Sequence, residues 1–140
     1  MRRGEDATVR KMGDMTIPLE QRLASAILSL DANGIAACFA PDAAFRALIP
    51  PGLLERDGGA STAELIRSWF ADSSELQLIE VRAADVSDRR HIFWRFSGIE
   101  NAERYVVEQH LFCVVEGDRI ARADLMCSGF RPEEPKPVGA

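Results

Sequence analysis

No run of apolar residues in this chain approaches the ~20 that a membrane-spanning helix needs, so a span is not expected. The first fifteen residues, MRRGEDATVRKMGDM, carry charge but no apolar signal-peptide segment, and a cytoplasmic protein is the expectation. Cysteine is scarce. Cys38, Cys113 and Cys127 are odd in number, lack CxxC spacing and sit among apolar neighbours, which points to reduced core residues rather than a disulfide framework. Histidine is scarcer still, with His91 and His110 alone, and there is no HxxxH or facial carboxylate set, so neither a metal nor a cofactor is expected. Gly58 and Gly59 have neither the spacing nor the lysine of a phosphate loop. Basic residues are outnumbered 17 to 22, for a net charge of -5, and no basic stripe exists to neutralise a run of phosphates. Nucleic acid is not an expected partner.

What remains is ordinary material for one globular domain: 140 residues, 46% hydrophobic and 28% charged, enough for a real core. Residues 1–15 lack periodicity and the ending RPEEPKPVGA holds three prolines, so the expected layout is a domain over 16–131 between loose tails at 1–15 and 132–140. Leu19, Leu23, Ile27 and Leu30 recur at helical spacing, with Thr16 and Pro18 suited to the start and Gly34 to a break. IAACF reads as a short second helix, AAFRALIP as a strand stopped by Pro50 and Pro51, and PPGLLERDGG as a loop. Ser61 with Glu64 three residues on forms a capping-box pattern ahead of a third helix whose stripe is Leu65, Ile66 and Trp69. Four strands in an antiparallel meander follow. Helices first and strands last define an α+β domain, with helices packed on one face of a curved sheet.

Within the third of those strands, VVEQHLFCVV (residues 106–115) is apolar except for Glu108, Gln109 and His110. Glu108 and His110, two apart, share one face of a strand. The next turn, EGDR, places Gly117 and Asp118 as a two-residue loop of type II′. With Glu116 opposite Arg119, an unbroken register sets Phe112 against Ala123, His110 against Leu125 and Glu108 against Cys127 on one surface. That surface is the more apolar, so Glu108 and His110 are expected to point into the core. Asp124 and Arg46 then belong to the exterior, and His91 to a solvated turn.

The order of these elements, the stretch from Asp31 to Ala43 with its Phe-Ala-x-Asp-Ala segment, and the turn Gly-Asp-Arg-Ile resemble the nuclear transport factor 2-like superfamily over residues 17–131. The similarity is to its SnoaL-like polyketide cyclase and ketosteroid isomerase branches. The resemblance implies a cone-like curved antiparallel sheet wrapped around three N-terminal helices, a deep apolar pocket for a small hydrophobic ligand, and a homodimer. By spacing, the isomerase base falls on Ala47, the helix-one tyrosine on Leu23 and the late-strand acid on His110. An alanine cannot abstract a proton and a leucine cannot donate one, so the steroid-isomerase mechanism is not expected.

The expected site is therefore His110 with Glu108 as an acid/base pair, acting as isomerase, dehydratase or cyclase on a hydrophobic carbonyl compound. Leu23, Phe45, Ala47, Trp69, Trp94, Phe112, Leu125 and Cys127 are the expected ligand-lining residues. The alternative is a binding or assembly module of the same fold without catalysis.

Overall fold

The computed structural model describes residues 17–134; the tail expected at 1–15 and the last residues of the chain lie outside them. Helices α1 (Leu19–Leu28) and α2 (Ala32–Ala36) come first, then strands β1 (Phe39–Ile49) and β2 (Gly52–Asp57) and helix α3 (Gly59–Phe70). Strands β3 (Ser74–Val86), β4 (Arg89–Glu100), β5 (Glu103–Glu116), β6 (Arg119–Cys127) and β7 (Arg131–Pro132) complete the order. The sheet runs β2-β1-β6-β5-β4-β3 without closing, and β7 adds to the start of β5. The meander β3 to β6 is antiparallel as expected, but β1 joins β6 in parallel, which makes the sheet mixed. Pairing continues past residue 131, since the Glu133 N–H donates to the Arg104 carbonyl at 3.1 Å.

Local chemistry explains where the elements begin and end. In α1, Leu19, Leu23, Ala26 and Ile27 make the buried stripe. The break comes at Leu30, which takes φ 55°, and not at Gly34. Asp31 caps α2 by accepting from the Gly34 N–H at 3.1 Å, and a Cβ on residue 34 would stand 2.7 Å from the Asp31 carboxylate. The Ser61–Glu64 pair does not start α3. That helix begins two residues earlier, after Gly58 at φ 96°, because the Gly58 N–H is tied to the Ala43 carbonyl at 2.7 Å and brings the helix end onto β1. The expected loop PPGLLERDGG is strand β2, with Leu53 opposite Leu48 and Leu54 opposite Ala47.

The three helices fill the concave side. Leu23, Ile27, Ile66 and Phe70 meet Phe45, Trp94, Phe96 and Leu111 from the sheet, all at most 1% exposed. A truncation inside such a core removes about 2–5 kcal/mol, which is a large part of a small domain's stability. Among the described residues, no helix is long and apolar enough to cross a membrane.

The β5–β6 hairpin departs from the expected register. The turn itself is as expected, with Glu116 opposite Arg119 and positive φ on Gly117. Val115 then faces Ile120, but Val114 faces Arg122, so Ala121 is an extra residue on β6. Beyond this bulge every pairing moves by one. Cys113 faces Ala123, Leu111 faces Leu125 and Gln109 faces Cys127 on the inner face, while Phe112 faces Asp124 and His110 faces Met126 on the outer face. Burial agrees, since Val107, Gln109, Leu111 and Cys113 are buried and their even-numbered neighbours are not. The inward facing expected for Glu108, His110 and Phe112 is thus corrected: one bulge residue turns all three to the outer face.

Candidate functional site

Gln109 takes the inner position that spacing had assigned to its neighbour. Its carboxamide is fully buried, accepts from the Trp94 indole Nε1–H at 2.7 Å and donates from Nε2 to the Cys127 sulfur at 3.3 Å. The Gly129 N–H also donates to Cys127 Sγ at 3.3 Å. Trp94 lies directly across β4–β5 from Gln109, so the chain of donors follows from strand pairing. It runs from the closed core to the open end of the cone. Replacing Gln109 by leucine leaves the indole N–H buried without an acceptor, and urea unfolding should show a loss of about 1–3 kcal/mol.

At that open end lies a recess of about 330 Å³ lined by Ile49, Pro50, Trp69, Glu100, Cys127, Gly129 and Phe130. Phe130 packs against Phe70 at 5.6 Å and Tyr105 at 4.9 Å between ring centroids, and Tyr105 OH pairs with Ser73 Oγ at 2.6 Å. Burial raises the Tyr105 pKa, with Ser73 opposing. The recess is mostly apolar, with one carboxylate and one thiol on its wall. Cys127 is half-buried there, whereas Cys38 and Cys113 are buried and desolvation pushes both thiols up to about 11. Iodoacetamide on the folded protein should therefore add one equivalent, at Cys127, and intact-mass analysis should find the other two only after unfolding.

Of the expected ligand-lining residues, Trp69 and Cys127 come together at this recess. Leu23, Phe45, Ala47, Trp94 and Leu125 lie on the inner side but are at most 2% exposed, packed in the core. Phe112 is on the opposite face of the sheet, 44% exposed.

On that outer face, Glu108 and His110 do not pair with each other. Glu108 forms an ion pair with Arg95. His110 Nδ1 lies 2.9 Å from His91 Nε2, with the ring planes 8° apart and the centroids at 5.1 Å, so the rings meet edge to edge in one hydrogen bond. The His91 ring also lies 4.6 Å from Phe112, which corrects its expected place in a solvated turn. Desolvation first, then His110 and Arg82, hold the His91 pKa below its ordinary value. Around the pair, Leu48, Leu53, Phe112 and Met126 form an exposed apolar band bordered by Arg46 with Asp124 at 2.8 Å. The outward, surface-paired Arg46 and the exterior Asp124 are as expected.

The sequence carried a signal for Gln109 that facing by turn register overrode. The odd series Val107, Leu111, Cys113 and Val115 is more apolar than the even series Glu108, His110, Phe112 and Val114. No comparable signal marked Glu100, whose place depends on four separated segments meeting.

The sequence matches the profile of the SnoaL-like domain over residues 21–123. The chain belongs to the SnoaL-like family. Solved structures with this SnoaL-like architecture include a protein with a ketosteroid isomerase-like fold from Catenulispora acidiphila DSM 44928, in complex with trimethylamine. It is 15% identical at a TM-score of 0.65, over 79% of this chain and 85% of that one. A protein proposed to be a polyketide cyclase, from Xanthomonas campestris pv. campestris, is 21% identical at 0.60, over 77% and 86%. An LEH-like epoxide hydrolase from M. tuberculosis is 16% identical at 0.58, over 79% and 80%. The different activities in these descriptions share one fold, so the SnoaL-like architecture alone names no reaction. A search of curated proteins by sequence found no match.

Proposed function

We propose that this SnoaL-like domain binds a small, mostly apolar carbonyl compound in the recess at the mouth of its cone. The observation that supports this reading is the recess itself, apolar over most of its wall and ending on Cys127. Because Cys127 Sγ already accepts from Gln109 and Gly129, its own S–H is the group left to donate, and a ligand acceptor such as a carbonyl oxygen suits it. Trp69 and Phe130 supply flat apolar area for the body of the ligand.

Turnover is a second reading, favoured by the Glu100 carboxylate on the same wall. It is the group on that wall suited to take an α-proton as base in isomerisation, dehydration or cyclisation. The geometry favours the recess over His110 and Glu108, which would have to act on the outer face, where Glu108 is held by Arg95.

Fused bicyclic ketones titrated against tryptophan fluorescence test the site. Cys127→Trp should fill the recess and weaken binding more than about tenfold, equal to about 1.4 kcal/mol. Unchanged affinity in that variant would count against the location. Glu100→Gln should keep binding and lose any turnover.

We further propose that two copies pair through the outer face of the sheet. The apolar band is contiguous there, and Arg46–Asp124, Arg82–Glu80 and Arg95–Glu108 put both signs of charge on one surface. A twofold axis brings such a surface onto itself with opposite charges matched.

A further inference from the structure

We propose that the His91–His110 pair makes the association of two copies sensitive to protons, so that the pair is closed on itself in the dimer and acid drives the copies apart. The inference rests on the outer-face pairing proposed above, and its test is chosen so that the two fail separately.

The geometry carries it. Two imidazoles joined edge to edge at 2.9 Å need one N–H donor and one bare nitrogen between them. The neutral pair satisfies this. One added proton keeps that hydrogen bond but places a full charge on the pair, and a second added proton breaks it, because both facing nitrogens then carry hydrogen. Its surroundings offer no relief in place.

On β3, Arg82 lies over the Phe93 ring at 4.4 Å and is paired with Glu80. On β4, Phe93 tilts against His110 at 4.8 Å, and Arg95 is engaged by Glu108 of β5. From β5, Phe112 stacks on His91. From β6, Met126 stands opposite His110 and Asp124 opposite Phe112, the latter bound to Arg46 of β1. The nearest carboxylates are thus already committed to arginines, and the nearest uncommitted neighbours are apolar. Burial under a second copy removes the water that would solvate an imidazolium.

The sign follows from linkage. Desolvation already holds His91 below the ordinary histidine value in the single copy, so association is complete within the ordinary range and declines as pH falls below it. One proton per copy gives about a tenfold loss one pH unit below the lowered value, and about a hundredfold for the two copies together.

Sedimentation velocity over a concentration series at pH 7.5 and pH 5.5 reads this directly, with circular dichroism confirming the fold at both. The wild type should be dimeric at pH 7.5 and weakened up to about a hundredfold at pH 5.5, while the His91→Phe/His110→Phe double variant should stay dimeric at both. If that variant does not fold, His91→Gln/His110→Gln, which keeps a hydrogen-bonding group at both places but no titrating ring, should likewise stay dimeric at both. A wild type equally tight at both pH values overturns the proton linkage and leaves the outer-face dimer standing. Wild type that is monomeric at pH 7.5 removes both. A double variant as pH-sensitive as the wild type overturns the role of this pair.

Discussion

Deleting Ala121 should leave the domain cooperatively folded, with the faces of β5 and β6 unchanged. With the Gly117–Asp118 turn kept, the shortened β6 sets Ile120 against Val115, Arg122 against Val114, Ala123 against Cys113 and Leu125 against Leu111, the pairs it already makes around the bulge. Arg122 and Asp124 therefore stay on the outer face. What is lost is the local offset between β5 and β1, since β6 lies between them, so the variant should melt below the wild type. Thermal melting by circular dichroism measures this, with Ala121→Ser as the control that keeps the residue count and should melt near the wild type. Iodoacetamide should still add one equivalent, at Cys127, and a deletion variant whose Cys113 reacts as well would show that the faces had exchanged.

A single Met126→Asp substitution should leave the fold intact and the chain monomeric. Met126 is 57% exposed at the middle of the outer-face band, so the isolated copy accepts a carboxylate there at little cost. In a twofold pair each interface would hold two such carboxylates away from water, and the dissociation constant should rise at least about a thousandfold, or about 4 kcal/mol. Light scattering coupled to size exclusion gives the answer, and Phe112→Asp should behave alike because Phe112 borders the same recess of the face. If both variants stay dimeric, the copies pair elsewhere and the outer face loses its proposed role.

Both outcomes turn on which way β5 and β6 face. Period-two patterning and the Gly117–Asp118 turn were enough to locate β5 and β6, and helical spacing was enough for the buried stripe of α1. The face of β5 was harder, because a hairpin register read from a turn assumes equal residue counts on both strands. Ala121 breaks that equality, and alanine in a strand carries no mark of a bulge. Composition of the two alternating series would have given the right face, since Gln109 is the lone polar member of an otherwise apolar set.

β2 was missed for a related reason. Its Gly52, Glu55, Arg56 and Asp57 read as loop chemistry, and the strand forms because it borders β1 at the edge of the sheet, with Leu53 and Leu54 supplying one contact to each face. The early start of α3 has the same character. Local capping chemistry favoured Ser61, but the tie from Gly58 to Ala43 of β1 overrode it.

By itself, then, the sequence determined the class of domain, the order of helices and meander, and its likeness to the SnoaL-like and ketosteroid isomerase-like group, because periodicity and turn residues are local properties. Tertiary structure alone decided that Gln109 rather than His110 looks inward, that Cys127, Trp69 and Glu100 share one recess, and that His91 finds His110. Each of those depends on pairing between strands distant in the chain, and a single extra residue reverses a face without altering the local pattern that predicted the strand.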